Sequence, residues 1–317
     1  MNQTERIYLV HPEDKQYKVN MHTHTTQSDG GFTPEEIKEI YTSMGYSAVV
    51  FSDHQDCRPH TELTDEHFVA LTAVELDYSK KDANHLLEKA VHMNAIFRDP
   101  NKTKIYDSYP LDYDLINQMV AELKGEGCFV TLNHPVWSFM TNEEILRIKG
   151  FDAMEICNSV AAKIFGYSDD SPIYDGYIRA GGKAIPVAGD DCHRRWADGT
   201  ASVEYGQSFV MVQAKKLTYD GLLDALFAGD CYVSTGPTIQ EAWLDGDLLH
   251  IKCSPACGVY VRSKLLNTRT EAVSKTDSLT EVTLNIAHIR RYSPYFVLLL
   301  QDTQGKKAWL PPFYFDR

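Results

Sequence analysis

The chain has 317 residues, of which 43% are hydrophobic and 24% are charged, and its formal net charge is −13. This composition argues against disorder and predicts one large folded domain, or a large domain with a small one. The acidic balance argues against a long nucleic-acid duplex as the main partner, because such binding depends on many Lys and Arg contacts with phosphates.

The cysteines and the apolar runs indicate the cellular compartment of the protein. The seven cysteines form no CxxC pair, and several lie inside apolar runs, as reduced thiols do. The N-terminus leads into no apolar signal segment, and no apolar run is long enough to span a bilayer. We therefore expect a soluble, cytoplasmic protein.

Short apolar runs alternate with amphipathic runs over roughly the first 230 residues. Thr33 begins the first amphipathic run as a capping residue, followed by Pro34 and two acidic residues, which predicts a helix start. The alternation predicts βα units around a parallel sheet. The predicted strands are 18–21, 47–51, 69–74, 128–132, 153–156 and 183–188, and the predicted helices begin near Thr33, Leu111, Thr141 and Ile173.

The pattern changes at about residue 238, where helical periodicity ends. Strand-like runs separated by turn residues follow, which predicts a β-rich C-terminal part. We expect two units: an α/β body over residues 1–237 and a β-rich appendage over residues 238–317. The strand-like runs of the appendage are 248–252, 258–262, 281–286 and 295–300.

Side chains that bind metals follow the ends of several predicted strands. In a parallel α/β barrel, these strand ends open onto one face. His22 and His24 are two residues apart on an extended segment, so both point to the same side and can bind one ion. Asp191 and His193 have the same spacing. The full set is His22, His24, His54, Glu75, His134, Asp191 and His193.

Each of these residues alone has a simpler interpretation. A single histidine at a strand end is usually a surface or packing residue, and Asp29, before Gly30, could equally be a turn residue. His85 and His92 both follow Glu75 on a segment of uncertain structure. The set as a whole nevertheless predicts a metal centre. Its N and O donors, without a thiolate pair, suit Mn, Zn or Fe alike.

The motifs resemble the polymerase and histidinol phosphatase (PHP) superfamily over residues 17–195. The segment 229–237, followed by β-rich sequence, resembles the subgroup related to carbaryl-degrading metallohydrolases. The motifs that carry the superfamily resemblance are His22-Thr-His24 with Asp29-Gly30, Ser52-Asp53-His54, Glu75, Asn133-His134-Pro135 and Gly189-Asp190-Asp191-Cys192-His193.

The resemblance implies an α/β fold: a distorted, seven-stranded (βα) TIM-like barrel, the PHP fold, with two to three divalent metal ions at the strand ends. The implied ligands are His22, His24, Glu75 and Asp191 for the first ion, Glu75, His134 and His85 for the second, and Asp29, His54 and His193 for the third. His85 is preferred to His92 because Asn84-His85-Leu86-Leu87 resembles the family's short His-containing strand. Asp29 stands where some relatives carry His.

The resemblance and the ligand set predict a metal-activated hydroxide as nucleophile. Asp191 and His193 are the predicted catalytic residues, and His193 or a metal-bound water is the predicted acid for the leaving group. Asn158, Arg58 and Arg194 are candidate substrate contacts, and a solvated surface role is the alternative for each.

Three functions fit this sequence. The leading one is a phosphoesterase that cleaves a small phosphorylated metabolite or nucleotide. The second is a metallohydrolase of carbamate, ester or amide bonds, because an activated hydroxide also attacks a carbonyl. The third is a metal-stabilised binding module without catalysis. The sequence does not indicate the oligomeric state.

Overall fold

A computed structural model describes residues 6–167, 169–193 and 204–315. Helix α1 begins as predicted, because the Thr33 side chain accepts a hydrogen bond from the Glu36 N–H and the Glu36 carboxylate accepts one from the Thr33 N–H. The helices are α1 (Pro34–Ser43), α2 (Tyr113–Gly125), α3 (Asn142–Ile145), α4 (Ser159–Lys163), α5 (Ser171–Arg179), α6 (Tyr219–Ala228) and α7 (Ala287–Tyr292), with a 3₁₀ turn at Thr61–Leu63.

The six strands predicted before residue 237 are all present, and the structure adds others that were not predicted, including those at Ile7–Val10, Phe209–Ala214 and Cys231–Ser234. The largest difference lies between residues 75 and 96. There the third strand continues well past Glu75, and a long partner strand follows it. The strands before residue 237 are β1 (Ile7–Val10), β2 (Lys15–Asn20), β3 (Ala48–Phe51), β4 (Asp56–Cys57), β5 (Val69–Lys81), β6 (Leu87–Ile96), β7 (Lys104–Ile105), β8 (Tyr109–Pro110), β9 (Phe129–Leu132), β10 (Ala153–Asn158), β11 (Ile185–Gly189), β12 (Phe209–Ala214) and β13 (Cys231–Ser234).

Seven strands of one large sheet carry the predicted motifs, in the order β11-β10-β9-β6-β5-β3-β2. All neighbouring pairs are parallel except those of β6, which is antiparallel to both β5 and β9. The predicted closed TIM-like barrel is not confirmed. Over the described residues, β12 pairs with β2 along Lys15–Val19 and occupies the edge that β11 would need. An isolated bridge from Thr23 to Cys192 links the segments beyond β2 and β11.

The C-terminal part is β-rich, with the strands β14 (Ile239–Asp245), β15 (Leu248–Ala256), β16 (Gly258–Ser263), β17 (Thr270–Val273), β18 (Leu279–Asn285), β19 (Tyr295–Gln301), β20 (Lys307–Trp309) and β21 (Phe313–Tyr314). It packs around a core of its own, which includes Ile251 and Leu298. Strand β1 pairs with β14 and β20 with β13, so the two parts of the chain exchange strands. The boundary after residue 237 stays a prediction.

We find no helix in the described ranges that is both long and apolar enough to cross a membrane.

Candidate metal centre

Four buried side chains converge from three segments: His22 and His24 just beyond β2, Glu75 on β5, and Asp191 just beyond β11. The Nε2 atoms of His22 and His24 lie 3.2 Å apart. Asp191 Oδ1 lies 3.2 Å from His22 Nε2 and 3.0 Å from His24 Nε2. The two Glu75 oxygens each lie 3.2 Å from one of these nitrogens. The donor atoms therefore form one group that could hold a metal ion, made of the four residues expected for the first ion.

A second group shares Glu75 and contains His92 in place of His85. Glu75 Oε1 lies 3.3 Å from His92 Nδ1 and 3.4 Å from His134 Nε2. His85 is exposed in the turn between β5 and β6, with a φ of 64°. The structure does not bring His85 to the cluster, so the preference for it over His92 is corrected. The reason is that β6 runs antiparallel to β5 and places His92 opposite Asp77.

The third predicted group is also present, although its donor atoms are further apart. Asp29 lies 3.8 Å from His24 Nδ1, 3.9 Å from His54 Nε2 and 3.6 Å from His193 Nε2. The Asp29 side chain is 58% exposed, whereas the other groups are built from mostly buried residues. This group therefore lies at the mouth of the site.

The sequence analysis missed two acidic residues that contact the cluster, Asp77 and Glu155. Asp77 Oδ1 lies 3.0 Å from His54 Nδ1. It is two residues beyond Glu75 on the same strand, so the alternation of side chains places both on one face. Glu155 lies in the middle of the buried strand β10, 3.3 Å from His22 Nδ1. The Glu-x-Asp spacing after residue 74 is a signal for Asp77. The signal for Glu155 is that it is an acidic residue within an otherwise apolar run.

The backbone is strained at two of the candidate ligands. His134 and Asp191 adopt φ values of 24° and 55°, in a region that residues other than glycine rarely occupy. Hydrogen bonds hold both in place: the His134 N–H donates to Glu155 at 3.0 Å, and the Asp191 N–H donates to the His22 carbonyl at 2.9 Å. Such strain is typical of functional sites.

Neighbouring histidines stabilise the charged forms of Glu75 and Asp191. Burial raises the pKa values of Glu75 and Asp191, but nearby imidazoles, above all that of His22, hold both well below the usual range. Burial lowers the pKa of His22, but the Asp191 and Glu75 charges outweigh it and raise this pKa well above its usual value. Burial also opposes protonation of His24, whose pKa the adjacent Asp191 and Glu75 carboxylates raise to about 10.

The donor atoms fit a divalent cation. His24 Nδ1 and Asp191 Oδ1 are buried and satisfy no hydrogen bond among the described residues. Buried polar atoms are nearly always paired, so such a coincidence at one cluster indicates a ligand from outside the chain. Imidazole nitrogens with carboxylate oxygens are the donors that Zn, Mn and Fe ions accept.

A pocket of about 350 Å³ opens onto this cluster. One wall is ionisable and contains Glu204, whose carboxylate accepts a hydrogen bond from the His193 N–H at 2.9 Å, together with every candidate ligand described above except His22 and His24. The rest of the lining is an apolar wall formed by Trp137, Val160, Ala161, Ile164 and Phe165. The site is therefore a pocket with a polar side and an apolar side.

The three predicted substrate contacts have different outcomes. Asn158 is buried, and its amide donates to Asp191 Oδ2 at 3.0 Å and to Glu155 Oε2 at 2.9 Å, so it supports the ligands. Arg58 is half exposed, pairs with Asp56 and does not line the pocket. Arg194 lies outside the described residues.

Comparisons with known proteins give structural neighbours only. No protein-family model matches the chain, and no curated protein does. One solved structure to which this chain is similar is a two-domain protein from Bacteroides vulgatus that contains a predicted PHP-like metal-dependent phosphoesterase. It is 15% identical, with a TM-score of 0.49, over 98% of this chain and 99% of that one.

Two further solved structures cover smaller parts of the chain. A proposed metal-dependent phosphoesterase from Bifidobacterium adolescentis is 16% identical, with a TM-score of 0.44, over 68% of this chain and 97% of that one. An amidohydrolase from Chromobacterium violaceum, solved with sulfate and no metal, is 15% identical, with a TM-score of 0.41, over 55% and 87%. All three TM-scores lie below 0.5, and the assignment of the metal centre rests on the side chains described above.

Proposed function

We propose that this chain is a metal-dependent hydrolase of the PHP superfamily that cleaves a phosphoester of a small molecule. The observation that carries the proposal is the convergence of His22, His24, Glu75 and Asp191, with two buried atoms that satisfy no hydrogen bond. A structural role alone does not account for such a cluster beside an open pocket, because taking several ionisable groups out of water costs free energy that apolar packing would not. Binding a substrate and a metal accounts for both features.

A divalent cation in this cluster would lower the pKa of a water molecule and neutralise charge that develops on the substrate. The protein side chains do the remaining work. Asn133 donates a hydrogen bond of 2.7 Å to Glu75 Oε1 and so fixes the carboxylate shared by the first two groups. Glu155 holds the His22 ring from behind at 3.3 Å. Held in this way, the ligands need little rearrangement during the reaction.

His193 is placed to exchange a proton with the leaving group. Its Nδ1 lies 2.7 Å from the Asp191 carbonyl oxygen, which can only accept, so Nδ1 carries the hydrogen. With no ion bound by the third group, its Nε2 is therefore the nitrogen that can gain and lose a proton. The side chain is 21% exposed and lines the pocket, so a bound substrate can reach it.

Turnover of p-nitrophenyl phosphate by Mn- or Zn-loaded protein tests this proposal. We expect hydrolysis that chelators abolish and that His22→Ala and Asp191→Ala both reduce at least 100-fold. His67→Ala is the matched control, because His67 is 83% exposed and its imidazole pairs with Glu66. Bound metal without hydrolysis on a broad phosphate panel would overturn the proposal and favour a metal-stabilised binding module.

A second function, hydrolysis of carbamate, ester or amide bonds, has one specific observation in its favour. Among the described residues that line the pocket there is no Lys or Arg, the residues that usually bind the charge of a phosphate. A neutral carbonyl substrate needs no such partner. Measuring p-nitrophenyl acetate and a p-nitrophenyl carbamate beside the phosphate separates the two functions, because cleavage of the carbonyl substrates alone would exclude the phosphoesterase.

A further inference from the structure

The apolar wall of the pocket faces the metal centre directly. The Trp137 ring lies 4.9 Å from the ring of His134 and 5.4 Å from that of His92, measured between centroids. Phe165 extends this surface outward, with its ring 6.1 Å from that of Trp137. A substrate with its reacting bond at the candidate ligands must therefore place its adjoining group near these rings.

Hydrogen bonds connect the apolar wall to the ligand cluster. Helix α4, which carries Val160 and Ala161, begins at Asn158, whose Oδ1 accepts a hydrogen bond from the Ala161 N–H at 2.8 Å. The amide nitrogen of the same side chain donates to Asp191 at 3.0 Å. One side chain thus caps the helix and supports a candidate ligand, so the part of the wall on α4 has a fixed position relative to the metal centre.

The chemistry of the wall distinguishes between leaving groups. A sugar or nucleotide exposes hydroxyl and charged groups, which need hydrogen-bond partners when they leave water. The five side chains of the wall offer none apart from the Trp137 indole N–H. Aromatic or branched aliphatic groups, by contrast, gain free energy by packing on such rings. A pocket of about 350 Å³ is at the small end of ligand sites and suits a group of one or two rings.

We infer that this enzyme selects substrates whose leaving group is apolar, either aromatic or branched aliphatic, and that Trp137, Ile164 and Phe165 bind that group. The inference rests on the proposed hydrolase function and names its substrate class. It applies to a phosphoester and to a carbonyl substrate alike, because the wall contacts the part of the molecule that does not react.

The test compares two aryl phosphates whose leaving groups have similar size and acidity, 4-tert-butylphenyl phosphate and 4-(2-hydroxyethyl)phenyl phosphate. We expect the metal-loaded protein to prefer the tert-butyl compound by about tenfold in kcat/KM, and Phe165→Ala to remove most of that preference. Phe139→Ala is the matched control. Phe139 is 60% exposed, close to the 55% of Phe165, but it does not line the pocket and contacts Tyr167 instead.

Binding of uncleavable analogues separates this inference from the proposed function. Calorimetry with 4-tert-butylbenzylphosphonate and 4-(2-hydroxyethyl)benzylphosphonate measures how the apolar wall affects binding affinity in the absence of turnover. If neither phosphate is cleaved but the tert-butyl phosphonate binds about tenfold more tightly, and Phe165→Ala removes the difference, the wall is confirmed and the phosphoesterase fails. Equal binding and equal kcat/KM for both compounds, or a preference that Phe165→Ala and Ile164→Ala leave intact, would overturn the inference.

Discussion

Replacing Glu155 by Gln tests whether this carboxylate orients the metal ligands. Glu155 accepts hydrogen bonds from the His134 N–H at 3.0 Å and the Asn158 amide at 2.9 Å, and its other oxygen lies 3.3 Å from His22 Nδ1. Gln has nearly the same volume, but it exchanges one acceptor oxygen for an NH₂ donor. Turned one way, the new NH₂ faces the His134 and Asn158 donors. Turned the other way, it faces His22 Nδ1, which carries the hydrogen when Nε2 binds a metal ion.

The size of the effect follows from these contacts. Carboxylates behind a ligating histidine contribute about 10- to 100-fold to metal affinity, or about 1.4 to 2.8 kcal/mol. Glu155 contacts two candidate ligands, His22 and His134, and it also contacts Asn158, which supports Asp191. We therefore expect Glu155→Gln to weaken metal binding by about 100-fold, at the upper end of that range.

The assay is competition with a chromogenic chelator for Zn or Mn, combined with thermal unfolding of the metal-free protein. Glu144→Gln is the control for loss of a partly buried acidic residue, because Glu144 caps α3 and pairs with Lys89 away from the cluster. The unfolding data separate loss of stability from loss of affinity. If Glu155→Gln keeps the affinity of the unmodified protein, Glu155 does not orient the ligands and the reasoning above is refuted.

Three further predictions follow from other parts of the structure. His92→Ala should remove about one bound metal ion per chain by plasma mass spectrometry, whereas His85→Ala should remove none; the opposite result would restore His85 as the ligand. Burial raises the pKa of Asp170 to about 8, so the folded protein retains a proton that the unfolded chain releases above about pH 4. Stability should therefore fall as pH rises from about 4 to about 8, by at most about 1.4 kcal/mol per pH unit, and urea titrations of Asp170→Asn should lack that decline. Thr33→Ala should lower the free energy of unfolding by about 1 kcal/mol without changing the metal content, since it removes only the cap of α1.

Local sequence patterns were sufficient for the residues whose positions depend on short-range geometry. Two residues on an extended segment face the same side, so the spacing of His22 and His24 predicted a shared group, and the structure brings their nitrogens within 3.2 Å. The cap at Thr33 also depends only on residues nearby in sequence, and α1 begins there.

The pairing of β5 with β6 could not be predicted in the same way. Past Glu75, β5 carries Asp77 and two lysines among its apolar residues, so no continuous apolar run marks the strand. The register that places His92 opposite Asp77 is set by contacts between distant parts of the chain, and a shift of one residue would turn His92 to the other face. The preference for His85 failed for this reason, since it depended on a short local motif that lies in the turn.

The residues that best indicate the metal centre break the sequence rules from which a fold is predicted. Glu155 is an acidic residue in a fully buried strand, and His134 and Asp191 hold backbone conformations that favour glycine. Each costs free energy, and each would be removed from a sequence that had only to fold. Their contacts join them to one cluster. Glu155 accepts a hydrogen bond from the His134 N–H, and the Asn158 amide donates to both Glu155 and Asp191. The costs therefore coincide at a single place, which is what a metal centre requires and a hydrophobic core does not.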